Sequence, residues 1–220
     1  TTFQDTDFVY GRTLAQVVGT AVIRYADADV LPFEFTNLAD TVEGYVKDLQ
    51  AQLKSRQGEA RERNRQIEEG VFAAMLDPRR PTVPPAREEV PPSFNFAPLE
   101  NAVTALNDAA SQYHEAISGS GRRRELSRDT VKAVNALLMQ SERQLLDPAG
   151  LKGRAWYRHL LYAPGLYTGY GVKTVPGVRE AIEQRFYGDV DREVVRAAGA
   201  IERLARQIRS AAELVAGAAK

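Results

Sequence analysis

Apolar residues recur at helical spacing along most of this chain. Within residues 13–28, Leu14, Val17, Val18, Ala21, Val22 and Tyr25 step by three and four, which predicts a helix. Pro32 breaks it, because proline lacks an amide donor and disfavours helix in the residue before it. A second helix is predicted from Asn37, with Asn37 and Asp40 as its capping pair and Leu38, Val42, Tyr45, Val46, Leu49 and Leu53 on one face. Residues 54–69 carry charges of both signs and read as a solvated helical extension, interrupted near Gly58 and ending near Gly70. Phe96, Leu99, Val103, Leu106, Ala110, Tyr113 and Ile117 then form a heptad-like seam. A fourth helix is expected over 128–146, where Val131, Val134, Leu138 and Leu145 share a face that Leu137 widens. After a short helix near 178–187, Asp189 or Asp191 is expected to cap the last one. Its stripe is Val194, Ala198, Ile201, Ala205, Ile208, Ala212 and Val215. That stripe suits either an intramolecular core or a seam to another chain.

Helices with one apolar stripe each cannot bury it alone. The predicted fold class is therefore all-α: an antiparallel four-helix bundle with an irregular loop. The loop is residues 151–177, which hold the only tryptophan, four tyrosines and a series of glycines. Chain of this kind often builds sites. A second irregular stretch lies between 78 and 98, where seven of the eleven prolines fall. It reads as an extended surface excursion, either a plain inserted connection or a motif for a proline-binding partner.

Composition narrows the chemistry. Lys and Arg (29) balance Asp and Glu (29), so there is no broad positive footprint and no nucleic-acid partner is expected. Without cysteine, disulfides, thiolate zinc sites and thiol nucleophiles are excluded. With only His114 and His159, a histidine-rich metal site within the chain is not expected. No apolar run of about 18 residues suggests a membrane-spanning helix.

Candidate chemistry is sparse. Gly169-Tyr170-Gly171 lacks the third glycine and the βαβ context of a nucleotide fingerprint, and reads as a turn. The pairs Glu68–Glu69 and Glu88–Glu89 sit in polar surroundings and read as solvated surface. The arginines at 122–124 follow a helix C-terminus and complement its dipole. His114 reads as a boundary or surface residue. His159, between Arg158 and Tyr162, is either a hydrogen-bonded histidine fixing the loop or a base. No GxSxG nucleophile motif is present, and no catalytic residue is assigned.

Residues Trp156, Tyr157, Arg158, His159, Leu160, Leu161, Tyr162, Ala163 and Pro164, then Tyr170, then Val175, Pro176 and Gly177, resemble the C-terminal region of the glutamate carboxypeptidase II family. The transferrin receptor shares that architecture. Glu142 and Arg143, the run from Leu146 to Leu151, the run from Leu14 to Val17 and the run from Val30 to Phe33 fit the same resemblance. It implies that residues 1–33 are the edge of an upstream peptidase domain. Residues 34–220 would be a helical dimerisation domain, with a charged, proline-rich insertion at about 56–95. It further implies a homodimer contacting that upstream domain. Two zinc ions and the catalytic glutamate would lie upstream, so this segment would hold neither metal nor cofactor. The parent is then expected to be a zinc-dependent carboxypeptidase in a secreted, periplasmic or extracellular location. The alternative is a non-catalytic receptor or scaffold.

The family resemblance also implies one substrate contact. A lysine followed by a tyrosine grips the carboxylates of the substrate's C-terminal residue in that family. The corresponding positions here are Gly169 and Tyr170, so the tyrosine matches and the lysine does not. Lys173 is a conceivable substitute, and Arg158, His159 and Tyr162 are expected to support the loop. The apolar face of Leu14, Val18 and Val22 is expected to pack on the bundle or on a neighbouring chain.

Overall fold

A computed structural model describes residues 7–74, 83, 85–119 and 126–218. The arginines at 122–124 and the prolines at 78, 81 and 84 lie outside the described residues. The described residues are all-α apart from one small hairpin. The helices are α1 (Val9–Ala26), α2 (Phe35–Glu68), α3 (Val71–Ala74), α4 (Ala97–Ser118), α5 (Arg128–Leu138), α6 (Pro176–Glu183) and α7 (Tyr187–Gly217). A 3₁₀ turn covers Glu142–Leu145. Among the described residues no helix is long and apolar enough to cross a membrane.

The core lies where α2, α4, α5 and α7 meet. Leu49, Leu99, Leu106, Ile201, Leu204 and Ile208 are fully buried there. Helix α7 is the hub, touching α4, α5, α6 and the 3₁₀ turn, while α2 packs on α4. Small residues such as Ala102 and Ala109 of α4, and Ala200 and Ala211 of α7, are wholly buried and let helices approach closely. Phe35 meets Tyr113, and Gln50 donates to Glu100, so α2 and α4 run antiparallel. Gln207 donates to the Leu137 carbonyl and Arg203 to that of Gln144, so α5 also opposes α7. By contrast α4 and α7 run the same way. Phe94 lies beside Tyr187 at one end, and Ala116 beside Ala216 at the other. The stripe of α7 is buried within the chain and is not a free seam.

Several boundaries differ from expectation, each for a local reason. Helix α2 starts at Phe35 without a side-chain cap, so Asn37 and Asp40 fall inside it. Burial of the Phe35 ring, edge-on to Tyr113 at 5.2 Å, draws the start upstream. The helix also runs unbroken through Gly58. Arg65 pairs with Glu62 and Glu69 along its surface, and residues 85–92 cover Ala60 and Asn64. Helix α5 stops at Leu138, short of the expected 146. Beyond it the Gln140 and Ser141 amides donate three residues back, to the Leu137 and Leu138 carbonyls, tightening the chain into the following turn, where Arg203 of α7 donates to the carbonyls of Gln144 and Leu146. Helix α7 starts at Tyr187. Asp189 pairs with Lys152 and Arg192, so neither it nor Asp191 caps the helix. Ile117, expected in the α4 seam, is exposed.

The proline-rich return is pinned to α2. Asn64 pairs through both side-chain atoms with the backbone of Glu88, each contact 2.7 Å. Gln57 donates to the carbonyls of Pro91 and Pro92. Prolines bring no amide donor of their own. These side-chain amides therefore supply the pairing.

Helix α1 stands apart. None of its residues is buried, and Leu14, Val17, Val18 and Val22 are all more than half exposed. The expected packing of this face on the bundle is therefore not found. Asn135 of α5 tethers the following turn, accepting from the Leu31 amide and donating to the Asp29 carbonyl.

Candidate functional site

Residues 151–177 fold into a hairpin that the periodicity of the chain did not predict. Tyr162–Pro164 (β1) and Val172–Thr174 (β2) form an antiparallel hairpin, with Tyr162 opposite Thr174 and Pro164 opposite Val172. Three-residue strands leave too little alternation to detect by period. At the tip, the Gly171 amide donates to the Thr168 carbonyl, and Thr168 Oγ1 donates to the Gly171 carbonyl. Gly169 has φ +58°, a conformation glycine adopts without strain, and no atom crowds it. This turn leaves Tyr170 fully exposed and Tyr167 nearly so.

Three polar clamps hold the hairpin beneath that tip. The first is a buried ion pair. Arg154 meets Glu180 of α6 through two 2.9 Å bonds, with side chains 3% and 11% exposed. The Glu180 Oε1 also accepts from the Leu166 amide, which fixes the start of the loop. The second clamp runs from β2 to α2. Lys173 pairs with both Glu183 oxygens, Gln52 donates to Glu183, and Arg179 bridges Gln52 and Thr174. Lys173 is thus paired with Glu183.

The third clamp is His159. Its Nδ1 accepts from the amides of Leu161 and Tyr162, both at 3.2 Å, so the ring proton sits on Nε2. That nitrogen lies 2.9 Å from Glu142, off the axis of a good hydrogen bond. The Tyr162 hydroxyl donates to the same Glu142 oxygen at 2.8 Å, and its ring lies 4.2 Å from the imidazole. Burial lowers the basicity of His159, with Glu142 pulling the other way. Nδ1 is thus taken by the two amides, while Nε2 lies beside Glu142 without a well-aligned hydrogen bond. Arg158 is exposed, and its carbonyl accepts from Asp147. His114 lies exposed on α4.

Arg154 and Glu180 were not foreseeable as a site. They are 26 residues apart and indistinguishable from other charges until the fold pairs them. Beside them lies a cavity of about 170 Å³, lined by Leu166, Tyr167, Gln184, Phe186 and Glu193, with Lys152 at its edge. Lys152 pairs with Asp189 and sits 3.7 Å over the Phe186 ring.

Among the described residues no group of three or more His, Cys, Asp or Glu side chains is placed to hold a metal. The zinc implied by resemblance has no ligand set among the described residues. What the arrangement offers is a rigid support presenting tyrosine hydroxyls, able to donate to a carboxylate or carbonyl.

Residues 94–215, from the start of α4 almost to the end of α7, match the transferrin receptor-like dimerisation domain. The chain belongs to this family. Its relatives include proteins named as probable glutamate carboxypeptidases. Over 184 residues, 82% of this chain, it is 29% identical to a probable glutamate carboxypeptidase, LAMP1, of Arabidopsis thaliana, covering 21% of that protein. Over 198 residues, 89% of this chain, it is 25% identical to a second Arabidopsis protein, probable glutamate carboxypeptidase AMP1, covering 23% of it. An inactive zinc metalloprotease of Schizosaccharomyces pombe is 39% identical over 84 residues, 37% of this chain and 10% of that protein. The chain spans about a fifth of the length of its extended relatives.

Proposed function

We propose that this dimerisation domain pairs with a second copy of itself within a zinc-dependent, glutamate-carboxypeptidase-like parent, and that its 165–171 loop forms one wall of the pocket for a peptide's C-terminal residue. The observation carrying this reading is Tyr170, fully exposed at the tip of a hairpin held by three polar clamps. A fixed base and a free hydroxyl suit a side chain that meets a partner rather than the core. Residues 1–33 belong, in this proposal, to the edge of the upstream peptidase domain, which would cover the bare apolar face of α1. That domain would hold both zinc ions, and the parent would be secreted, periplasmic or extracellular.

The pocket wall would differ from the family pattern. Gly169 supplies no side chain and Lys173 is paired, so the loop offers a hydroxyl without a cation. Preference for a C-terminal glutamate would be weakened accordingly. The test is Tyr170→Phe in the full-length protein. Losing one hydrogen bond to a carboxylate, about 1.5–3 kcal/mol, would raise KM roughly 10- to 150-fold and leave assembly intact. Unchanged kinetics would remove Tyr170 from the pocket. Gly169→Lys should raise the preference for glutamate.

The apolar stripes of α4 and α7 face inward, so a partner must meet their outer surfaces. Ile117 and Leu214 are exposed near the shared C-terminal ends of these helices and are the residues proposed for that contact.

A second reading is a non-catalytic receptor or scaffold assembled through the same domain. The relative named as an inactive zinc metalloprotease favours it. Absence of zinc and of peptidase activity from the full-length protein, with dimers retained, would select this reading.

A further inference from the structure

The hairpin begins at a titratable residue that the proposed substrate contact does not use. His159 Nδ1 has one lone pair, and two backbone amides, those of Leu161 and Tyr162, point at it. Leu161 opens the hairpin on this side and in turn accepts from the Val175 amide at its far end. The same imidazole lies against the Tyr162 ring, tilted by 33°, and Leu146 of the preceding turn bridges to the His159 backbone. We propose that His159 is a pH-operated latch: neutral, it pins both amides and closes the hairpin entry, and protonated at Nδ1, it releases them.

The proton comes from solvent and occupies the lone pair that both amides share. An imidazolium has donors only, so neither amide bond survives in the closed geometry. Groups facing the ring set the balance. Among the described residues Glu142 of the 3₁₀ turn is the carboxylate in contact, and it favours the charged form. Tyr162 of β1 faces the ring, and its hydroxyl is held protonated by its bond to Glu142. Tyr45 of α2 adds a smaller electrostatic push in the same direction on the Tyr162 hydroxyl. Burial of the imidazole outweighs Glu142, so its closed-state pKa lies below the ordinary value. A histidine with a depressed folded-state pKa contributes its stability above about pH 6.5 and loses it as pH falls through the depressed value. Release is therefore an acid-side event. It stands independently of whether the loop meets a substrate.

The experiment is hydrogen exchange on the full-length protein, comparing protection of residues 160–164 at pH 7.5 and 5.5 after correction for intrinsic rates. Protection should fall by up to about tenfold, while α4 and α7 hold theirs. In His159→Asn the amide oxygen replaces Nδ1 as acceptor without titrating, so the pH effect should vanish. Unchanged protection in the parent, or an equal fall in His159→Asn, would overturn the latch. Should that variant fail to fold, histidine NMR on the parent decides. His159 must titrate below the ordinary histidine value of about 6.5; a midpoint at or above it would overturn the proposal.

Discussion

Replacing Glu180 with alanine should be among the most damaging single changes near the hairpin. It strips Arg154 of both its hydrogen bonds while the guanidinium remains 3% exposed, with Nε already lacking a partner. It also removes the acceptor for the Leu166 amide. Breaking one side of a buried ion pair costs about 3–5 kcal/mol, because a charge is left in low dielectric without compensation. For a domain of this size that corresponds to roughly 6–20 °C in melting temperature. The expected signature is local as well as global. Amides of residues 165–167 should lose protection before those of α4 and α7. Denaturant unfolding of wild type, Glu180→Ala, and the double variant Arg154→Met with Glu180→Leu measures this directly. The double variant removes both charges and should recover most of the loss. A loss below about 1 kcal/mol, typical of a solvated surface pair, would refute the reasoning. So would a double variant no more stable than the single one.

The remaining predictions separate sites of different character. Gly150→Ala should be severely destabilising, because a Cβ there would stand 2.1 Å from the Ala155 carbonyl oxygen at φ +65°. Gly169→Ala meets no neighbour and should cost only about 1–2 kcal/mol of left-handed strain, so thermal melts should rank the two clearly. Asn64→Ala should free residues 85–92 from α2, raising proteolysis there with little change in the unfolding midpoint of the core. Comparable cleavage in both proteins would mean that the proline-rich return is held by something other than that pair.

How much was legible beforehand depended on periodicity. The stripes of α4 and α7 were readable because Leu99, Leu106, Ile201 and Ile208 repeat over enough turns to define a face. Helix ends were less readable, since long-range partners set them. Phe35 begins α2 by meeting Tyr113 of α4. The parallel course of α4 and α7 has no sequence signature, because an apolar stripe carries no direction. The aromatic, glycine-rich loop was visible by composition, yet its hairpin was not. Its support rests on Arg154, Glu180 and Glu183, ordinary charges until the fold brings them together. The same packing commits Lys173 to Glu183, which no spacing could foretell.

Assembly is the central claim, and sedimentation velocity on the full-length protein at micromolar concentration tests it most directly. The account predicts a dimer in the wild type. Ile117→Asp combined with Leu214→Asp should shift it at least tenfold toward monomer while the helical signal is kept. A wild-type protein that sediments only as a monomer would contradict the account.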